Sequence, residues 1–98
     1  MNDELRNLVD IDRVIHEPAR LLITAVLYTV ESADFLYLLH ATELTKGNLS
    51  SHLMRLEKAG YVAIEKTFEG KTPRTVCRLT EAGQEAFETY RQQMKAAI

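Results

Sequence analysis

The sequence predicts a mainly α-helical domain with one small β-hairpin, an α+β fold. Three leucines repeat at i, i+4 and i+7 (Leu49, Leu53 and Leu56), which gives one helix an apolar face. Two short strand-like segments, 61–68 and 75–79, follow this helix and are joined by a tip rich in turn-forming residues. Apolar residues recur at helical spacing on both sides of this stretch. We therefore expect three helices, a two-stranded hairpin and a C-terminal helix.

Length and composition indicate one globular domain that occupies residues 1–98. Hydrophobic residues make up 46% of the chain and charged residues 27%, which is typical of a folded protein. No apolar run approaches the roughly 20 residues that cross a bilayer, and the acidic start does not resemble a signal peptide. We expect a cytoplasmic protein without a membrane partner. The single cysteine, Cys77, fits a reducing compartment and is expected in the core.

The N-terminal third predicts a short arm followed by a helix. Apolar residues at helical spacing within 1–12 indicate a short or frayed helical arm. Pro18 suits the first turn of a helix because its missing N–H is not needed there, and this helix should extend to about Val30. Its apolar surface is wide for a short helix, which favours contact with both the domain core and a partner subunit.

Two further helices joined by a tight turn form the pattern of a helix-turn-helix. Asp34 can cap a short helix over residues 35–42, since its side chain can accept a free backbone N–H. Thr45 can cap the next helix, residues 45–59, in the same way. Gly60 follows at the position where a left-handed residue commonly ends a helix.

The hairpin has a predicted tip at residues 69–74, where Gly and Pro mark a turn. Thr80 can then cap a last helix over residues 81–98. Apolar residues repeat along this helix in a heptad-like stripe, which is longer than one small core requires and favours a homodimer seam. The alternative is that the stripe packs only on the first helix of its own chain. The residues assigned to the dimer seam are Leu22, Val26, Phe87, Tyr90 and Met94.

Charge is distributed unevenly along the chain, although the formal net charge is only −2. The segment 44–79 contains seven basic and three acidic residues, whereas the remainder contains five basic and eleven acidic ones. One basic face is enough to attract phosphate groups, because binding responds to the local field. Segregation of this size also arises by chance, so charge alone does not decide between nucleic acid and another partner.

The outward face of helix 45–59 is polar at its N-terminal end. If the three leucines point inward, helix geometry of about 100° per residue places the other side chains outside or on the flanks. Small residues allow close approach to a major groove, Asn and Arg can read base edges, and Ser can bind phosphate. The outward residues are Gly47, Asn48, Ser51, Met54, Arg55 and Lys58, with Lys46, Ser50 and His52 on the flanks.

The hairpin adds further cations beside this helix, at Lys66, Lys71 and Arg74, together with Thr72. A basic loop next to a groove-binding helix can reach phosphates or the minor groove. Lysine on edge strands also prevents aggregation, which explains one or two of these cations but explains the cluster less well.

The segments GNLSSHLMRLEKAGYV and EKTFEGKTPRTVCRLTEAG resemble the winged helix-turn-helix regulators of the MarR and ArsR type. The resemblance extends from about Ile15 to the C-terminal helix. It implies a recognition helix at 45–59, a wing at 68–74, and dimerisation through the terminal helices. By matching positions, the residues implied to face DNA are Lys46, Asn48, Ser50, Ser51, Arg55, Lys71, Thr72 and Arg74.

The chain also departs from these families. It has one cysteine rather than the paired cysteines of many ArsR-type metal sensors, and its three histidines are scattered, so no metal or other cofactor is expected. MarR-type proteins have longer helical arms with an effector pocket. This chain is shorter, which argues against such a pocket. The resemblance still allows a small-molecule effector, but no residue pattern supports one.

An enzyme is not expected, because the sequence lacks a phosphate-binding loop, a nucleophile elbow and a zinc-protease motif. His52 lies beside Ser50 and Ser51, but nothing orients them for catalysis, and packing or phosphate contact is the commoner role. The serious alternative is a winged helix that binds another protein. That function would favour apolar residues on the outer face of helix 45–59, where Met54 is the one example.

Overall fold

The computed structural model describes residues 3–98 and contains five α-helices and a three-stranded antiparallel sheet. The predicted arm includes residues 1 and 2, which lie outside the described residues. No described helix is both long and apolar enough to cross a membrane. The elements are α1 (Asp3–Arg6), a 3-10 turn (Asn7–Asp10), α2 (Pro18–Tyr28), β1 (Ala33–Asp34), α3 (Phe35–Thr42), α4 (Lys46–Lys58), β2 (Val62–Glu69), β3 (Thr72–Leu79) and α5 (Glu81–Ala97).

The helix starts follow the capping residues in the sequence. The Asp34, Thr45 and Thr80 side chains each accept a backbone N–H of the helix that follows, as predicted. Pro18 is the first residue of α2, and the carboxylate of Glu17 accepts the Ala19 and Arg20 amides at its N-terminus. Because each of these interactions joins residues close together in the chain, the four helix starts can be predicted from the sequence.

The strand β1 was not expected from the sequence. It has only two residues, and it pairs with β3 so that Ala33 lies opposite Cys77 and Asp34 opposite Val76. A strand this short has no alternation to detect, and its partner lies more than forty residues away. The resulting strand order, β1-β3-β2, places β3 in the centre of the sheet.

The predicted hairpin tip at 69–74 was too long, because the strands continue to a two-residue turn formed by Gly70 and Lys71. Gly70 has φ +64°, as the first position of a type II′ hairpin turn requires. Pro73 suggested a loop, yet it lies within β3 opposite Phe68. A proline fits there if its nitrogen faces away from the partner strand, since no ladder hydrogen bond is then lost.

The described residues form two hydrophobic clusters. The larger one buries the predicted leucine stripe of α4 against α2, α3 and the sheet, and includes Cys77, which is fully buried as expected. The smaller one consists of Ile15, Phe87 and Tyr90, with residues of α2 packed against it. Phe87 and Tyr90, which the sequence assigned to a dimer seam, are therefore already covered within their own chain, with relative exposures of 6% and 5%.

The end of α4, the start of β2 and the first turn of α5 meet closely at one junction. Gly60 has φ +83°, the left-handed conformation expected after α4. The Thr80 hydroxyl donates to the Gly60 carbonyl, and the Thr80 amide donates to the Tyr61 carbonyl. A Cβ atom on Gly83 would lie 2.1 Å from that same Tyr61 oxygen, so α5 approaches β2 only because residue 83 lacks a side chain.

Candidate nucleic-acid interface

The candidate interface is centred on α4, whose inner face is fixed in the core. Leu49, Leu53 and Leu56 are buried to 2% relative exposure or less, so the rotation of the helix about its axis is set. Every other residue of α4 except His52 is exposed. The structure thus places Lys46, Asn48, Ser50, Ser51 and Arg55 on the accessible surface.

The turn before α4 sets its angle to α3. Glu43 ends α3 in the left-handed conformation, with φ +56°, which non-glycine residues adopt rarely. The Thr42 hydroxyl donates to the Leu38 carbonyl and accepts the Leu44 amide, which satisfies polar groups of the turn. A three-residue connection between two short helices is the expected helix-turn-helix geometry.

His52 holds α4 against the N-terminus of α2. Its Nδ1 atom lies 3.2 Å from an Arg20 guanidinium nitrogen and 3.6 Å from the Glu17 carboxylate. Burial opposes ionisation of Glu17, but the amides of Arg20 and Ala19 outweigh it and hold the pKa of this carboxyl below its ordinary value. His52 therefore packs between helices, one of the two roles expected from the sequence.

Arg20 is a cation beside α4 that sequence reasoning missed. Together with Ser51, Arg55 and Lys58 it lines a surface groove along one side of the helix. The Arg20 Nε atom donates to the Val14 carbonyl at 2.6 Å, which fixes the side chain in place. No local pattern could have found it, because the packing of α2 on α4 brings residues more than thirty positions apart together.

A second groove separates the other side of α4 from the hairpin. Ser50 and Met54 of α4 line it together with Ile64, Lys66 and Thr75 of the strands. The structure thus brings Ser50 and Lys66, two of the predicted site residues, to opposite walls of one groove. Among the residues described, 3–98, the predicted cations Lys46, Arg55, Lys66 and Lys71 make no salt bridge and are available to phosphate groups.

Arg74 differs from the other predicted cations because two carboxylates already neutralise it. Its guanidinium lies 3.0 Å from Asp34 and 3.2 Å from Glu69. The Tyr37 amide, and then the Arg74 guanidinium, hold the pKa of Asp34 below its ordinary value of 3.8. Arg74 therefore connects the hairpin to the N-cap of α3, and this contact was not visible in the sequence.

The alternation of side chains along the hairpin separates two faces. Lys66, Phe68, Pro73 and Thr75 share the face that continues the core towards α4, which we call the front face. Thr72 and Arg74 occupy the opposite face, and Lys71 lies in the turn between them. The wing residues predicted from the sequence thus do not form a single surface.

Histidine, cysteine and carboxylate side chains form no group of three or more suited to a metal ion within residues 3–98. Burial raises the pKa of the Cys77 thiol to about 11, and the carboxylates of Glu57 and Asp34 add to this. The cysteine is therefore a buried neutral thiol rather than a thiolate ligand.

The profile of the winged helix DNA-binding domain family matches residues 19–98 of the chain. The chain belongs to this family. An uncharacterised protein of Methanocaldococcus jannaschii is 35% identical over 78 residues, which covers 80% of this chain and 85% of that protein. The resemblance found in the sequence is thus confirmed at the level of family and fold.

Solved structures give the same result. A transcriptional regulator homologue from Pyrococcus horikoshii superposes with a TM-score of 0.87 at 32% identity, covering 97% of this chain and 93% of that one. A MarR-family transcriptional regulator from Silicibacter pomeroyi superposes with a TM-score of 0.69 at 21% identity, over 97% of this chain and 62% of its own length. The second comparison shows that the fold is that of MarR proteins, within a shorter chain.

Proposed function

We propose that this winged helix domain regulates transcription, most simply as a repressor, by binding specific double-stranded DNA as a homodimer. In this proposal α4 enters the major groove, where Asn48, Ser51 and Arg55 contact base edges or phosphates. Lys66 and Lys71 of the hairpin contact the backbone or the minor groove. The function requires access to chromosomal DNA, so the proposal includes a cytoplasmic location.

The observation that carries the proposal is the exposed polar face of α4 beside cations that have no partner in the described chain. Gly47 has open space around it, since a Cβ there would meet no atom within 4 Å. Asn48 and Arg55 are the side-chain types that pair with adenine and guanine edges, and the N-terminal half of the helix around them is small and polar. The segment 44–79 also has a charge of +4, against −6 for the rest of the chain.

A homodimer is supported by apolar side chains that remain exposed at the terminal elements. Leu5 and Val9 of the N-terminal arm are 47% and 72% exposed, and Leu22 of α2 is 40% exposed. We propose that Leu22, with Val26 and Met94, belongs to the contact between two copies, whereas Phe87 and Tyr90 support it from within the core. Two recognition helices could then meet successive major grooves, about 34 Å apart.

In vitro selection from a random duplex library tests this function. We expect enrichment of a site with two related half-sites, whose centres are separated by about 10 base pairs or a multiple of that spacing. Arg55→Ala should weaken binding to the enriched site by about 1–3 kcal/mol if Arg55 reads a base. Arg78→Ala provides a matched control that should bind as the wild type does, because Arg78 is exposed at the base of the hairpin on the side opposite to the front face.

Selection that enriches no sequence would contradict specific recognition. Enrichment of a single undivided site would contradict the homodimer while leaving DNA binding intact. Failure to bind any duplex would favour the protein-binding alternative, for which Met54, 66% exposed on the outer face of α4, would be the first residue to substitute.

A further inference from the structure

The end of the hairpin carries an exposed aromatic side chain that the proposed phosphate contacts do not use. Phe68 is 70% exposed, and its cross-strand partner Pro73 is exposed as well. Both lie on the front face, two residues beyond the Lys66–Thr75 pair that lines the groove beside α4. A large exposed apolar side chain near the tip of an edge hairpin favours aggregation. Its presence there therefore indicates that a binding partner covers it.

Phe68 and Pro73 form one apolar unit. A two-residue turn closes on a hydrogen-bonded pair, here Glu69 and Thr72, so the next pair along the ladder is of the type without hydrogen bonds. In such a pair the Cα atoms are about 4.5 Å apart and the side chains approach closely. The missing N–H of Pro73 is not needed at this position, which explains how proline fits into the strand.

The charges around this pair indicate what covers it. Lys66 precedes Phe68 on the same face, and Lys71 lies in the adjoining turn. Neither lysine makes a salt bridge within residues 3–98. An apolar pair between two unpaired cations complements a nucleic-acid groove, where sugars and base edges lie between two rows of phosphates.

The length of the hairpin fits the spacing of the grooves. Phe68 lies four residues beyond Ile64, which contacts the groove beside α4, and strands rise by about 3.3 Å per residue, so the pair extends about 13 Å further. One turn of B-DNA is about 34 Å, so the neighbouring minor groove lies about 17 Å from the major groove that α4 would occupy. A hairpin that runs along the duplex axis would therefore bring the front face to the edge of that minor groove.

Building on the function proposed above, we propose that the Phe68–Pro73 pair enters the adjacent minor groove and favours A·T over G·C base pairs there. Guanine places an exocyclic amino donor in the minor groove, and A·T pairs have none. An apolar side chain packed against that donor would leave it without a hydrogen bond, which costs free energy. The wing then contributes specificity through its apolar residues as well as affinity through its lysines.

Fluorescence anisotropy on the selected duplex tests this inference. The base pair at the wing position is made A·T, G·C or I·C, because inosine lacks the amino group of guanine but keeps its major-groove edge. We expect the wild type to bind A·T and I·C equally and G·C about tenfold more weakly. Phe68→Ala should bind all three with equal affinity, and its salt dependence should match that of the wild type because no phosphate contact is lost.

Leu36→Ala is the matched control, since Leu36 is a leucine of similar exposure, 69%, that lies on α3 and does not belong to the Phe68–Pro73 pair. This variant should keep the wild-type preference. A G·C penalty that persists in Phe68→Ala, or a wild type that does not distinguish the three duplexes, would overturn the inference while the proposed function stands. A wild type that binds none of the duplexes would instead remove the proposed function itself.

Discussion

Gly47 and Gly83 are both helical glycines, yet their surroundings differ. A Cβ on Gly47 would meet nothing within 4 Å, whereas a Cβ on Gly83 would lie 2.1 Å from the Tyr61 carbonyl oxygen. We expect Gly83→Ala to lower the free energy of unfolding by about 1–3 kcal/mol, because α5 must move away from β2. We expect Gly47→Ala to raise it by up to about 1 kcal/mol, because alanine favours the helix.

Urea unfolding of the two variants measures this difference, and duplex binding of Gly47→Ala adds a second readout. If α4 approaches DNA closely at residue 47, the added methyl group should weaken binding although the domain becomes more stable. A Gly83→Ala variant as stable as the wild type would show that α5 does not pack on Tyr61 as described.

Asp34 gives a prediction for pH. Its pKa is lowered in the folded state, chiefly by the Tyr37 amide and then by Arg74, so its ionised form stabilises the fold. This contribution is present above its unfolded pKa of 3.8 and is lost as the pH falls through the lower folded value. Asparagine keeps the helix cap but removes the charge, and we expect Asp34→Asn to be less stable near neutral pH by less than about 1 kcal/mol.

Chemical unfolding of both proteins at several pH values tests this expectation. The difference in free energy between wild type and Asp34→Asn should shrink as the pH falls below 3.8. A difference that does not change with pH would show that the charge of Asp34 contributes nothing to stability.

At the scale of single residues, the sequence predicts helix caps and turn conformations, because these features depend on residues nearby in the chain. The caps at Asp34, Thr45 and Thr80 and the left-handed Gly60 were all predicted, because each acts within about four residues of its own position. The ion pair between Arg74 and Asp34 was not, since the two residues are forty positions apart. From the sequence alone, Arg74 is consequently predicted to be an available phosphate ligand.

At the scale of elements, Tyr61 connects the start of β2 to the segment that precedes α2. Its hydroxyl donates to the Asp12 carboxylate, and this bond, followed by burial, raises the pKa of Tyr61 to about 12. Asp12 in turn accepts the amides of Val14 and Ile15, and Ile15 belongs to the smaller core cluster. The hydrogen bond therefore helps to hold the N-terminal segment on the domain.

We expect Tyr61→Phe to lower the free energy of unfolding by about 1 kcal/mol and to speed amide hydrogen exchange in residues 11–16. Tyr37→Phe is the matched control, since it removes a hydroxyl from a side chain that is half exposed on α3. It should leave both measurements unchanged. Equal exchange in the wild type and Tyr61→Phe would contradict a role for this bond in holding the segment.

The sequence predicts helices correctly where apolar residues recur at helical spacing over enough residues to be detected. The boundaries of α3 were predicted correctly, and those of α4 differ only at its capping residues, because 3.6-residue periodicity and capping agree there. The two-residue β1 has no periodicity, and Pro73 by itself predicts a loop because the sequence does not show which residue lies opposite it. The pairing of β2 with β3 at this end of the hairpin, which the sequence does not predict, defines the front face and the Phe68–Pro73 pair.

At the scale of the whole molecule, the stripe on α5 illustrates why burial within a chain is hard to separate from burial between chains. Phe87 and Tyr90 face Ile15 and α2 of their own chain, although their heptad-like spacing equally suits an intersubunit seam. Leu22, by contrast, remains 40% exposed on α2. The spacing of apolar residues along a helix does not show whether the stripe is covered by its own chain or by a second copy.

We expect the wild type to sediment as a dimer at micromolar concentration and Leu22→Glu to sediment as a monomer, because a charge would be placed in the proposed contact. Leu36→Glu is the control, since it makes the same change at an exposed leucine on α3, outside that contact. It should remain a dimer. A monomeric wild type, or a dimeric Leu22→Glu, would contradict the proposed contact.

The most direct test of the central proposal, duplex binding through α4 and the hairpin, is a titration of the selected duplex over a series of salt concentrations. We expect the logarithm of the binding constant to fall linearly with the logarithm of salt concentration, with a slope of about −0.9 per phosphate neutralised. Lys71→Ala should make this slope shallower by about 1 and weaken all sequences alike. Binding that is absent, or that does not change with salt, would contradict the proposal.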